Sequence, residues 1–242
     1  MSSGSPHLRV AKDAQEAANA CSTHILQSLE ECLKTESFAT FAISGGSSPK
    51  LLFGNLAQAD FNWTRVHFFW VDERCVPPTD KDSNFKLAHD TLFDPAKIPD
   101  RNVHRIYGEL PPSEGAAKYV EEIKLFFRLN DGKLPSFDLL HRGMGPDAHT
   151  ASLFPGDPLI NNKTDIATNV WVEKFHMNRV TLLPGVLTAA KETVLQVVGE
   201  DKADALRNVL TGREDPMSYP CQIASRDAEA TWFLDRAAAA KL

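Results

Sequence analysis

Residues 66–71 read VHFFWV, an almost unbroken apolar run. Successive side chains of a strand point to opposite faces, so a run of this kind persists only where both faces of the sheet are covered. The segment therefore predicts a central strand of a sheet layered between helices, and it disfavours an antiparallel sheet with one wet face. The rest of the chain supplies the layers. Residues 14–33 carry apolar positions at helical spacing through Ala14, Ala18, Cys21, Ile25, Leu29 and Cys32. Further helices are expected over 49–56, 84–93, 114–129 and 202–210, and from Pro184, which suits a first helical turn. Strands are expected over 38–44, 103–106, 137–140, 169–173, 179–182 and 193–198, with 228–242 readable as strand or helix. Strands alternating with helices from end to end predict an α/β fold with a mainly parallel sheet and helices on both faces. No repeat or linker divides the chain, so residues 1–242 are expected to form one domain.

Composition narrows the function classes. The formal net charge is −6 with no long basic stretch, which argues against a nucleic-acid partner. An anionic substrate would need a local cationic pocket. Cys21, Cys32, Cys75 and Cys221 form neither a CxxC pair nor a zinc spacing, and read as reduced thiols of a cytoplasmic protein. No signal peptide is visible, and no window approaches the roughly 20 apolar residues of a membrane span. With no HxH, HExxH or paired-cysteine pattern, neither a metal nor a cofactor is expected.

Four segments carry candidate chemistry, each at the end of an expected strand. The first is SGGSSP, residues 44–49. Gly45 and Gly46 allow close backbone approach to a ligand, Ser47 and Ser48 add hydroxyls, and the following helix offers free N–H groups, which together suit a phosphate. The segment matches neither a Walker A loop nor GxGxxG, and an ordinary strand–helix turn explains it equally well. The second is Asp72-Glu73-Arg74, charges placed directly after an apolar run and hence at the carboxyl edge, where open α/β sheets bind ligands. Arg74 has the planar fork that clamps phosphate, against the blander reading of a solvated loop with a local ion pair.

The third segment, GMGPDAHTASLFPG at residues 143–156, holds three glycines and two prolines that force sharp turns around Asp147 and His149. Histidine is the side chain suited to proton transfer near neutral pH, and Asp147 is spaced to orient its ring. His141 and Arg142 precede this loop and read as structural. The fourth is Gly199-Glu200-Asp201-Lys202, where a lysine in a first helical turn opposes the helix dipole unless an anion binds there.

Taken in this order, the four loops resemble those of the 6-phosphogluconolactonase family, of the superfamily that includes glucosamine-6-phosphate deaminase and ribose-5-phosphate isomerase. Residues 179–190 (RVTLLPGVLTAA) and 231–239 (TWFLDRAAA) are also similar to family sequence. The resemblance implies a Rossmann-like sheet of the NagB/RpiA/CoA-transferase-like fold. It implies hydrolysis of 6-phospho-D-glucono-1,5-lactone to 6-phospho-D-gluconate in the oxidative pentose phosphate pathway, by a monomer or homodimer. It assigns His149 as catalytic base supported by Asp147, and Arg74, Lys202 and the Gly45–Ser48 loop, with Asp72 beside them, to the phosphosugar lactone. Two departures stand out. Ala148 occupies a position where the family pattern GxDGHTASLFPG has glycine, costing roughly 1 kcal/mol if φ there is positive. Arg142 ends a strand that is usually more apolar. The rival readings are an isomerase or deaminase of the same superfamily and a non-catalytic sugar-phosphate sensor. Against the first, SLFPGDP stands where the deaminase has FNEP; against the second, no DNA-binding segment is visible.

Overall fold

Residues 5–46 and 49–242 are described by a computed structural model. The strands are β1 (His7–Ala11), β2 (Ala39–Ile43), β3 (Val66–Trp70), β4 (Asp72–Arg74), β5 (Val103–His104), β6 (Leu139–Arg142), β7 (Ala167–Val172), β8 (Met177–Leu182), β9 (Glu192–Val197) and β10 (Ala230–Asp235). The α-helices are α1 (Ala14–Thr35), α2 (Pro49–Ala57), α3 (Asn84–Ala88), α4 (Pro112–Phe127), α5 (Pro184–Ala189) and α6 (Ala203–Thr211). One sheet has the order β1-β10-β9-β6-β2-β3-β5, parallel throughout; a second, antiparallel sheet has the order β4-β8-β7.

The apolar run of β3 is covered on both faces, as its sequence requires. Phe68 meets Trp63 and Phe93, at ring-centroid distances of 5.8 and 5.1 Å, on one side of the sheet. Phe69 meets Phe126 and Phe127 of α4, at 5.1 and 5.8 Å, on the other. The same alternation divides β9 and β10. Val194 and Phe233 join the core cluster that holds Cys21, Ile25 and Leu29 of α1. Leu195, Val197, Trp232 and Leu234 join a second cluster with Leu206 and Val209 of α6. Each large apolar side chain buried this way contributes about 1.5–3 kcal/mol.

The chain changes sheets at Val71. Its N–H donates to the Ile43 carbonyl at 2.8 Å, and its own carbonyl accepts from the Leu182 N–H at 2.8 Å. Asp72, Glu73 and Arg74 thus form strand β4 of the small sheet instead of the loop expected from their charge. β6 also runs two residues later than its apolar pattern suggests. Asp138, just before it, accepts from the Thr40 N–H (2.8 Å) and Oγ1 (2.7 Å) and from Lys191 Nζ (2.7 Å), and His141 and Arg142 lie fully buried within the strand. β1 is not legible beforehand: it is an edge strand with little burial, and its partner β10 comes from the far end of the chain.

The cysteines are free thiols, and burial pushes those of Cys75 and Cys221 up to about 11. Among the described residues no helix is long and apolar enough to cross a membrane.

Two stability predictions come from buried polar groups. The Trp70 N–H donates to Tyr119 Oη at 2.8 Å, and that hydroxyl donates to the Trp70 carbonyl at 2.7 Å. Tyr119→Phe strands both backbone groups and is expected to cost about 1–3 kcal/mol in urea unfolding. His141 is fully buried with neither ring nitrogen partnered among the described residues, and burial lowers its pKa from 6.5 to about 4. Between those values the unfolded chain binds the proton that the folded chain refuses. Stability therefore falls as pH drops from about 6.5 toward about 4, by up to about 3 kcal/mol for this residue. His141→Leu is expected to flatten that slope in unfolding curves taken across the window.

Candidate active site

Strand order in the large sheet reverses between β2 and β6. From β2 the chain steps outward to β3 and β5; it then returns to the other side of β2 and steps through β6, β9 and β10. Loops leaving the two strands at such a point diverge, and a crevice opens at their carboxyl ends. A cavity of about 250 Å³ lies there.

Ser44, Gly45 and Gly46 enter it from β2. A Cβ on Gly45 would lie 1.8 Å from Asn84 Oδ1, so glycine is needed there to seat a side chain as well as to admit a ligand. Gly46 has a φ of +108°, which also favours glycine. Ser47 and Ser48 lie outside the described residues.

Asp72 and Arg74 come from β4. Glu73, between them, is buried and acts as an anchor. Its carboxylate accepts from the N–H groups of Arg74, Asn84 and Phe85, each at 2.7 Å, and from Ser83 Oγ at 3.1 Å. Burial pushes its pKa up in spite of those donors. Arg74 does not pair with this carboxylate; its guanidinium donates to the Asp82 carbonyl. Asp72 is buried and accepts from Ser152 Oγ at 2.7 Å, with Arg179 at 3.6 Å.

Arg179 on β8 is a cavity residue to which the sequence reading gave no role, although it opens the family-like segment 179–190. It stands directly opposite Arg74 in the β4–β8 register. Two cations side by side on neighbouring strands repel. Burial, then Arg74, lowers the pKa of Arg179, and Asp72 opposes them. Asp72 compensates one positive charge and Glu73 is spent on backbone N–H groups, so the lining presents two guanidinium groups against one carboxylate. Lys202 adds a third cation from the loop after β9, its Nζ 3.1 Å from both carboxylate oxygens of Asp201. Gly199, at φ +102°, makes that turn and donates its N–H to Asp235.

His149 reaches the cavity from the loop after β6. Its Nδ1 is hydrogen-bonded to Asp147 Oδ1, while Asp147 Oδ2 accepts from Lys174 Nζ at 2.8 Å. Burial opposes ionisation of Asp147, but the bonds from His149 and Lys174 win and hold its carboxyl well below the usual carboxylate range. An ionised carboxylate only accepts, so Nδ1 carries the proton of this hydrogen bond. Phe154 stacks on the imidazole at 4.3 Å and 24°.

The loop's backbone is strained to achieve this. Ala148 and Ala151 have φ values of +63° and +51°, so the alanine that replaces glycine at 148 does occupy left-handed backbone. The turn is held by the Ala148 N–H donating to the Gly145 carbonyl (3.0 Å) and the Cys221 N–H donating to the Ala148 carbonyl (2.9 Å). Arg142 is an internal clamp, not a rim residue. Its guanidinium donates to the Ile223 and Ala224 carbonyls and to Thr150 Oγ1, tying the 220–225 segment to this loop.

All the sequence-predicted residues that are described meet here, except that Asp147 stands behind His149 instead of lining the cavity. Residues 12–232 match the model of the family described as glucosamine-6-phosphate isomerases/6-phosphogluconolactonase. The chain belongs to this family. It is 35% identical to the 6-phosphogluconolactonase of Nostoc sp. over 219 residues, 90% of each chain. It is 35% identical to that of Haemophilus influenzae over 204 residues, 81% of this chain and 84% of that one. Among solved structures, a protein described as devB superposes with a TM-score of 0.85 at 30% identity, covering 98% of this chain and 99% of that one. The 6-phosphogluconolactonase of Thermotoga maritima superposes at 0.83 with 28% identity, covering 95% and 99%. The NagB/RpiA-like fold expected from the loops is the fold of these family members.

Gly145 is a further site residue missed in the sequence. A Cβ there would lie 2.1 Å from the Nδ1 and Cε1 atoms of His149 and 2.8 Å from Asp147 Oδ1. Gly145→Ala is expected to leave the protein folded but push the ring off Asp147. The measurement is the Nδ1 proton resonance of His149, which should shift or vanish; an unchanged resonance means the loop absorbs the methyl group.

Proposed function

We propose that this chain hydrolyses 6-phospho-D-glucono-1,5-lactone to 6-phospho-D-gluconate, in the oxidative pentose phosphate pathway, with His149 as the general base that activates water. The observation that carries the reading is the meeting, in one cavity of about 250 Å³, of a carboxylate-backed imidazole with Arg74, Arg179 and Lys202. The three cations suit a phosphate monoester, which bears nearly two negative charges near neutral pH. Membership of the family and the loop that carries His149 support the lactone as substrate.

A lactone is an activated ester, so the chemistry asks for a base, a proton donor and positioning. Water attacks C1 while His149 Nε2 takes one of its protons, and the carbonyl becomes a tetrahedral oxyanion. The intermediate collapses, the bond from C1 to the ring oxygen breaks, and the imidazolium returns its proton to that oxygen. The product is the open-chain acid, which ionises in water. Asp147 stays ionised throughout, holds the Nδ1 proton and stabilises the transient imidazolium. Phosphate held by Arg74, Lys202, Arg179 and the Gly45–Gly46 backbone fixes C1 relative to Nε2, and Asp72 offers an acceptor to a sugar hydroxyl.

The test is consumption of freshly generated phosphorylated lactone, measured against spontaneous hydrolysis. Turnover well above background is expected, with unphosphorylated gluconolactone a poor substrate. His149→Ala should lower kcat by about 10²–10⁴-fold. Arg74→Ala should raise KM roughly 10–100-fold, the worth of a charged hydrogen bond. Near-full turnover by the histidine variant would end the assignment of the base.

A further inference from the structure

The turn joining β7 to β8 brings two side chains to the rim of the site. Lys174 Nζ lies 2.8 Å from Asp147 Oδ2. Phe175 covers the Arg179 guanidinium at 4.8 Å and meets Phe154, the ring stacked on His149, at 6.0 Å. Burial does not hold this turn in place, because the side chains of Glu173 and His176 are about 80% exposed and that of Lys174 is 50% exposed. An exposed ion pair adds only about 0–1 kcal/mol to a fold. The consequence of the Lys174–Asp147 contact is therefore local.

We propose that Lys174 is a positioning residue for the reaction, pinning the second oxygen of Asp147 so that the carboxylate holds His149 with Nε2 free to act. The inference rests on the lactonase reading of the site. Asp147 has one donor set on each oxygen: His149, through Nδ1 and its backbone N–H at 3.3 Å, on Oδ1, and Lys174 on Oδ2. Rotation about the last bond of an aspartate is soft and nearly two-fold, so a carboxylate held on one oxygen alone swings. Donors on both oxygens fix its plane, and with it the plane of the ring. Glu173, the carboxylate next to Lys174, is occupied elsewhere, accepting from Trp171 Nε1 at 2.7 Å.

Lys174 also adds a positive charge beside the pair. Arg74, Arg179 and Lys202 line the same cavity, and Asp72 is the carboxylate among them. Removing Lys174 takes away one cation and one of the two donor sets that fix the carboxylate.

The experiment compares Lys174→Met and Lys174→Arg with wild type, in kinetics and in the Nδ1 proton resonance of His149. Lys174→Met is expected to lower kcat about 10-fold, within what misplacement of a catalytic group costs. KM should stay within about twofold, and the resonance should shift. Lys174→Arg, which keeps a cation at the same reach, should recover most of kcat. In a His149→Ala background, Lys174→Met should cost nothing further. Unchanged kcat with an unchanged resonance would overturn the proposal. A raised KM with unchanged kcat would overturn it too, by making Lys174 a substrate contact. If wild-type protein fails to consume the lactone, the lactonase reading fails by itself, and the resonance still decides whether Lys174 positions the ring.

Discussion

The site depends on the chain passing from one sheet to the other at Val71. A single residue gives its N–H to the parallel sheet through Ile43 and its carbonyl to the antiparallel sheet through Leu182. That crossing delivers Asp72, Glu73 and Arg74 to the carboxyl edge as a strand with a defined register instead of a mobile loop. Register then places Arg74 beside Arg179. A flexible loop would let two arginines separate; paired strands do not. Their repulsion is built into the backbone, and Asp72, whose pull on Arg179 exceeds the push from Arg74, offsets it.

The 143–156 loop works by a related economy. Its polar side chains are mostly spent inside the protein: Ser152 on Asp72, Thr150 on the Gly143 carbonyl, Asp147 on His149. The back of the loop rests on a hydrophobic cluster through Met144 and Ala148, and Arg142 clamps it to the 220–225 segment. Two alanines in left-handed backbone are tolerated because these contacts determine the path of the chain, and strain of this kind gathers at sites that need a defined geometry. The imidazole is what remains directed into the cavity.

Local interactions were legible in the sequence and long-range ones were not. The central strand, the helices α1, α2 and α4, the glycine loops and the pairing of Asp147 with His149 were legible, because each depends on residues within a few positions of one another. Arg179 was not legible. It opens the strand expected over 179–182, and its meaning comes from a partner more than a hundred residues earlier. Lys174 reads as a surface lysine in a polar turn. Asn84 opens the helix expected over 84–93, yet it fills the space that Gly45 leaves. β1 carries no burial pattern because it lies at an edge, and β6 begins just after Asp138, which is engaged by Thr40 and Lys191.

By itself, the sequence determined the α/β architecture, since apolar periodicity and chain turns are local properties. It also placed four loops at strand ends in a recognisable order, because motif spacing survives in one dimension. Only the tertiary structure decided which charges face one another. Strand order, cross-strand register and the reach of the β7–β8 turn bring Arg179 and Lys174 to the site, and those are set by hydrogen bonding and packing between segments far apart in the chain.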